Sequence, residues 1–139
     1  LYKDVKIMSG STGTRDSELV ESFQKFKEKY PNAKPNIAGH SLGTELMFNA
    51  ADEVGLNVRE FFAFNPASSP AQPNSHIRKN LERKNAEFFL NSNDPVSKTY
   101  LQLANQSESD RVYLGGFLRS PLASHKLGQW VNSRGSGNI

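Results

Sequence analysis

Ser41 stands in Gly39-His40-Ser41-Leu42-Gly43, a G-x-S-x-G run that follows the short apolar stretch Asn36-Ile37-Ala38 and opens a helix-like stretch from Leu42 to Glu53. Strand, sharp turn and helix form the setting in which this pattern holds a serine in a strained backbone conformation with its hydroxyl exposed. Glycine suits positions 39 and 43 because a Cβ there would clash with the neighbouring strand or helix. The amide of Leu42 then points out of the helix N-terminus, where an oxyanion can bind. The competing reading is an ordinary Gly-rich turn between a strand and a helix.

A serine hydroxyl is a weak nucleophile unless a base removes its proton, and the base needs a carboxylate to orient it and to stabilise the imidazolium. The chain has three histidines. His40 lies inside the run with its side chain expected to point away from the hydroxyl, as a packing or hydrogen-bonding residue. His76 falls in a polar loop and reads as a surface residue. His125, in Leu122-Ala123-Ser124-His125-Lys126-Leu127, follows the last strand and is the preferred base; its other reading is a surface or core-satisfied histidine. Among Asp4, Asp16, Asp52, Asp94 and Asp110, the preferred acid is Asp94, which follows a strand and is held by Pro95. Asp110 is its rival, but it precedes a strand and so belongs at the opposite edge. Asn93-Asp94-Pro95 also reads as a simple Asn/Asp turn. A second oxyanion donor is expected from the loop Ser9-Gly10-Ser11-Thr12-Gly13-Thr14, where Ser11 or Thr12 offers an amide and a hydroxyl. That loop is equally readable as a flexible turn or a cap for the next helix.

These residues need elements to carry them. Val5 to Met8 reads as a strand. A helix follows, capped by Asp16 or Ser17, with Glu21 near its first turn and Leu19, Val20, Phe23, Phe26 and Tyr30 on one face, stopped by Pro31. Lys34 to Ala38 is the strand into the serine turn, and the helix after it carries Leu46, Met47 and Ala50 inward and ends at Gly55. Val58 to Phe64 is the next strand, then a Pro/Ser/Ala/Gln-rich loop to Ser75, a helix over Ile77 to Lys84, and a strand from Ala86 to Leu90. Tyr100 to Ser109 is ambiguous. Arg111 to Leu114 reads as a strand and Ser124 to Val131 as the last element, before a Gly/Ser tail expected to be disordered. Strands alternating with helices predict an α/β fold, a mainly parallel sheet with helices on both faces. In such sheets sites form outside the carboxyl ends of the strands, where Ser41 and Asp94 both fall.

At 139 residues the chain is one domain, small for an α/β enzyme. The net charge of +3 and pI near 9.2 carry no long basic run. The densest stretch, His76 to Lys84, with Arg78, Lys79, Arg83 and Lys84, reads as a solvated helix face ahead of an anion- or membrane-surface patch. No motif favours nucleic acid. With no cysteine there is no disulfide or thiolate metal site, and the scattered histidines lack ligand spacing, so no metal or other cofactor is expected. No run is long enough to span a bilayer and none reads as a signal peptide. The start at Leu1 suggests a processed product or a piece of a longer protein. The compartment is left open.

The order Ser41, Asp94, His125 is that of the α/β-hydrolases, and differs from the trypsin-like and subtilisin-like orders. Tyr30-Pro31-Asn32-Ala33-Lys34 ahead of Ile37-Ala38-Gly39-His40-Ser41-Leu42-Gly43 resembles the approach to the nucleophile in the class 3, fungal-lipase-like lipases of that superfamily. Ala63-Phe64-Asn65-Pro66, Asn93-Asp94-Pro95-Val96 and Ser124-His125-Lys126-Leu127 resemble three further segments of the family, the last two carrying its acid and its base. The resemblance covers roughly residues 21–131. It implies a small α/β-hydrolase fold, minimal or truncated, over residues 1–132, with 133–139 as the tail. It also implies a serine ester hydrolase acting on acylglycerol or phospholipid, with transient contact at a lipid or membrane surface. Three features depart from the family: Ser9-Gly10-Ser11 stands for an Arg-Gly-Thr or Arg-Gly-Ser oxyanion segment that usually lies farther upstream, Thr44 replaces a small residue, and the interval from Asp94 to His125 is short. A non-catalytic hydrolase-like module of a larger assembly and an acyltransferase or thioesterase using the same triad are the other readings. Phe61, Phe62, Phe64, Phe88 and Phe89 read as core rather than as a lipid site, and Phe117-Leu118 as a buried turn.

Overall fold

The computed structural model describes residues 14–106 and 111–115. Helix α1 (Thr14–Lys29) leads to strand β1 (Asn36–His40), helix α2 (Gly43–Val54), strand β2 (Glu60–Phe64), helix α3 (Asn74–Leu81), strand β3 (Ala86–Asn91), helix α4 (Lys98–Asn105) and strand β4 (Val112–Gly115). The strands form one sheet in the order β1-β2-β3-β4, and every neighbouring pair is parallel. This is the small α/β fold with a parallel sheet that the alternation of elements predicts.

Register decides what each face carries. Ile37 aligns with Phe61 and Phe61 with Ala86, while Gly39 aligns with Ala63, Ala63 with Phe88 and Phe88 with Val112. These residues face a core shared with Leu19 and Phe23 of α1, Leu46, Met47 and Phe48 of α2, Ile77 and Leu81 of α3, and Tyr100 and Leu103 of α4. Phe48 is the hub, with ring centroids 4.8 Å from Phe61 and 5.9 Å from Phe88. Burying each of these rings contributes about 2–3 kcal/mol. All four described helices pack on this face, which corrects, for the described residues, the expectation of helices on both faces. A strand order that follows chain order moves one way across the sheet, and right-handed crossovers then keep the connecting helices on one side. The opposite face carries the row His40, Phe64, Phe89 and Tyr113, in which Phe64 and Phe89 stack at 4.9 Å and Phe89 and Tyr113 at 5.2 Å. Of the expected core phenylalanines, Phe61, Phe88 and Phe89 are buried, whereas Phe62 and Phe64 are half-buried.

The element boundaries correct several expectations. Helix α1 starts at Thr14, so Asp16 lies in its first turn instead of capping it. An acidic side chain there opposes the positive end of the helix dipole. Desolvation raises the Asp16 carboxyl above its usual range, and the Glu53 charge adds to the rise. Tyr30 is exposed beyond the end of α1 and leans on Phe26 at 5.2 Å. Strand β1 begins past Pro35 and runs through His40, so the first two residues of the serine motif are strand. Helix α3 starts at Asn74, after Pro73 in an extended conformation, and ends at Leu81 instead of Lys84. Of the ambiguous stretch Tyr100 to Ser109, the part up to Asn105 is helical, in a helix that starts at Lys98, because Tyr100 and Leu103, one turn apart, are both buried in the core; residues 107–109 lie outside the described residues. Gly55 ends α2 as expected, with φ of 65° and its amide donating to the last carbonyls of the helix. No helix among the described residues is long and apolar enough to cross a membrane. The expected strand Val5–Met8, the helix Ser124–Val131, the Phe117-Leu118 turn and the limits of the 1–132 domain lie outside the described residues.

Candidate active site

Ser41 occupies the turn between β1 and α2 with φ of 58°, in the left-handed region where a residue with a Cβ is strained. The turn is held from several directions. The Ser41 amide donates to the Phe64 carbonyl at 3.1 Å, extending the β1–β2 pairing through the serine itself. The Ser41 carbonyl accepts from the Thr44 amide at 3.1 Å, the Thr44 hydroxyl at 2.8 Å and the Ala67 amide at 3.1 Å. Behind the turn, a Cβ built on Gly39 would lie 2.9 Å from Met47 Sδ and 3.0 Å from the Gly43 carbonyl oxygen. The expected need for glycine at 39 is therefore a physical contact between the strand and the elbow helix. Leu42, with φ of −62° and ψ of −21°, is already helical, and its amide belongs to the first turn, where a helix supplies no acceptor of its own.

Thr44, which departs from the family pattern, is thus a structural part of the elbow; its hydroxyl also reaches the Ala67 carbonyl at 3.4 Å. Glu45, which the sequence alone did not bring forward, is 4% exposed. Its Oε2 accepts from the Ser69 amide at 3.0 Å and its Oε1 from the Ser69 hydroxyl at 3.3 Å. Below them lies Tyr100, whose hydroxyl interacts with the side chains of Asn80 and Thr44. Burial pushes its pKa up to about 12; the Glu45 charge adds to the rise, while Asn80, Arg83 and Thr44 oppose it.

Asp94 lies three residues past β3 at the same edge of the sheet. It is buried, and both carboxylate oxygens are engaged: Oδ1 accepts from the Val96 amide at 2.9 Å and Oδ2 from the Ser97 hydroxyl at 3.0 Å. The Asx turn anticipated as an alternative is therefore present. The two bonds of the turn are not the only interactions of Asp94. Ser41 and Asp94 leave strands separated by β2, a lateral distance of about 10 Å at ordinary strand spacing. His125, Ser11, Thr12 and Asp110 lie outside the described residues.

The remaining candidates have other occupations. His40 sits half-buried in the row with Phe64 on the face away from the helical core, and is not without a partner there. His76 is exposed and contacts Gln72. In the basic stretch, Arg78, Lys79 and Lys84 are exposed, but Arg83 is committed: its guanidinium binds both Asp52 oxygens, at 3.1 and 2.6 Å, and covers the Phe48 ring at 4.6 Å. An open cleft of about 310 Å³ between α2 and α3, lined by Asp52, Glu53, His76 and Lys79, lies about two to three helical turns from Ser41. Among the described residues no group of three His, Asp or Glu side chains is placed to hold a metal ion.

No protein-family model, curated protein or solved structure matches the chain.

Proposed function

We propose that the chain is a serine ester hydrolase of α/β-hydrolase type, acting on lipid carboxylic esters such as acylglycerols or phospholipids. Ser41 Oγ attacks the acyl carbonyl while His125 takes its proton, and Asp94 orients the imidazole and stabilises its charged form. The Leu42 amide, with a donor from Ser11 or Thr12, receives the oxyanion. The imidazolium returns the proton to the departing alcohol. A water, deprotonated in turn by His125, then cleaves the acyl-enzyme and regenerates the Ser41 hydroxyl.

The single observation that carries this reading is the φ of 58° at Ser41. A serine gains nothing structurally from the left-handed region, and strain of this kind persists where the surroundings enforce it. Here Gly39 is packed against Gly43, and Ala67 and Thr44 are bonded to the Ser41 carbonyl. Asp94 supports the reading by its place at the same edge of the sheet. The lipid class of the ester rests on the family resemblance of the elbow segment.

Labelling with a fluorophosphonate probe tests it. The wild-type protein is expected to label, and Ser41→Ala and His125→Ala are expected to lose the label while remaining folded. Folded wild-type protein that does not label would remove the enzyme reading. Labelling that survives His125→Ala would remove His125 as the base. A panel of acylglycerol and phospholipid esters then decides the substrate class.

A further inference from the structure

Glu45 is a carboxylate placed where an apolar side chain would pack. It lies in the first turn of α2, 4% exposed, on a helix whose Leu46, Met47 and Phe48 fill the core. Burying a carboxylate is costly unless hydrogen bonds compensate, although the positive end of the helix dipole offsets part of that cost. The bonds that compensate here both come from Ser69.

Ser69 belongs to the loop of residues 66–73, which leaves the carboxyl end of β2. Because β2 lies between β1 and β3, this loop emerges between Ser41 and Asp94. It is tied to the elbow residue by residue. The Ala67 amide donates to the Ser41 carbonyl, the Thr44 hydroxyl reaches the Ala67 carbonyl, and Ser69 is held by Glu45. Beyond Ser69 the loop turns back, with the Gln72 amide donating to the Ser69 carbonyl at 2.9 Å. The first tie fixes the base of the loop. The Glu45–Ser69 pair fixes the part that stands away from the sheet.

We propose that Glu45 is a positioning residue that clamps the 66–73 loop as one wall of the acyl-binding cleft, and so sets which acyl groups Ser41 receives. The proposal rests on the ester-hydrolase reading for its substrate. It assigns Glu45 no part in proton transfer: the carboxylate acts on the loop through Ser69, and the loop acts on the substrate.

The test pairs hydrogen exchange with kinetics, using Glu45→Gln and Ser69→Ala in the full chain. Glu45→Gln removes the charge and leaves one acceptor, so the Ser69 amide is expected to exchange about tenfold faster, the equivalent of one weakened hydrogen bond. Ser69→Ala removes the hydroxyl bond alone and is expected to have a smaller effect on the same loop amides. Over a series of esters of increasing acyl length, Glu45→Gln is expected to raise KM for the preferred ester about tenfold with kcat held within about twofold, the signature of lost binding and not of lost chemistry. The order of preference among chain lengths should shift as well. Fluorophosphonate labelling of Glu45→Gln should keep the wild-type rate. Loop exchange unchanged in both variants overturns the clamp. A fall in kcat with KM unchanged, or loss of labelling in a folded variant, overturns the positioning role and places Glu45 in the chemistry. Wild-type protein that never labels defeats the hydrolase reading and the acyl-wall role with it, while loop exchange still decides the clamp separately.

Discussion

The Ser41 elbow and the Asp94 turn sit at the same edge of the sheet and share a local device: a hydroxyl three residues on bonds back, from Thr44 to the Ser41 carbonyl and from Ser97 to the Asp94 carboxylate. They differ in what else holds them. The elbow carries a left-handed φ at a residue that does not favour it, and is braced from β2, the 66–73 loop and Met47. The Asp94 turn is tied in part by its own neighbours, Val96 and Ser97, in an arrangement that an aspartate adopts in any Asx turn. Non-local bracing of a strained residue points to a purpose beyond the turn. Local bonding of an unstrained one is equally at home in a cap or a catalytic acid. Asn65 marks the difference: it too has positive φ, 44°, at the exit of the next strand, but asparagine tolerates that region unaided.

The largest expected effect breaks the elbow side of the comparison. In Gly39→Ala the new Cβ would meet Met47 Sδ at 2.9 Å and the Gly43 backbone at 3.0 and 3.1 Å. The flexible methionine can yield, but the Gly43 backbone yields only by opening the turn. A loss of about 3 kcal/mol is expected from this overpacking, read as a lowered urea midpoint, together with loss of fluorophosphonate labelling. A midpoint equal to wild type would mean that strand–helix contact does not hold the elbow.

The next effect concerns the link between the two regions. Tyr100 sits on α4, the helix that follows Asp94, and its hydroxyl reaches Thr44 of the elbow helix and Asn80 of α3. Its pKa, raised from 10.0 to about 12, means the folded state binds the phenol proton more tightly than the unfolded chain does. The stabilisation from this group is therefore complete below pH 10 and is lost as pH rises through 12, a change of about 2–3 kcal/mol. Unfolding free energies of wild type and Tyr100→Phe across that window measure it: the variant should show the shallower decline. Parallel declines would mean that Tyr100 does not tie the elbow helix to the helix after Asp94 through a protonated hydroxyl.

What the sequence makes legible follows from the range of each interaction. The apolar runs at Ile37, Phe61 to Phe64 and Phe88 to Leu90 predict β1, β2 and β3 because strand burial is a local pattern, and Gly39-x-Ser41-x-Gly43 predicts the elbow because Gly39 answers a local clash. The start of α1 at Thr14 is less legible, since Asp16 suits the first turn as well as the cap. Tyr100 is ambiguous in sequence because an aromatic among Thr99, Leu101 and Leu103 fits a strand as readily as a helix; the core contact with Phe88 at 6.1 Å decides it. Glu45 is illegible for a stronger reason. A glutamate in the first turn of a helix reads as a solvent-exposed partner of the dipole, and its burial depends on Ser69, which the chain brings to it from a different loop. A hydroxyl three residues after a functional group was the available signal for Thr44 and Ser97.

The smallest effect sharpens the Asp94 side. Ser97 is fully buried, and its hydroxyl is 3.0 Å from Asp94 Oδ2, so Ser97→Ala removes a hydrogen bond to a charged group and costs about 1.5 kcal/mol. The Val96 amide stays on Oδ1, so the carboxylate loses one of its anchors and is held less firmly in its orientation. If Asp94 orients the base, that loosening weakens the orientation without abolishing it. Ester hydrolysis is then expected to fall about tenfold in kcat/KM, an energy close to that of the bond removed, with labelling slowed but complete. The two regions thus predict opposite signatures: a substitution behind the elbow removes stability and activity together, whereas one beside Asp94 removes a graded share of activity for a modest loss of stability. A Ser97→Ala protein that loses the expected stability and hydrolyses esters at the wild-type rate would leave the Asp94 turn as a turn, and the acid would have to be sought elsewhere in the chain.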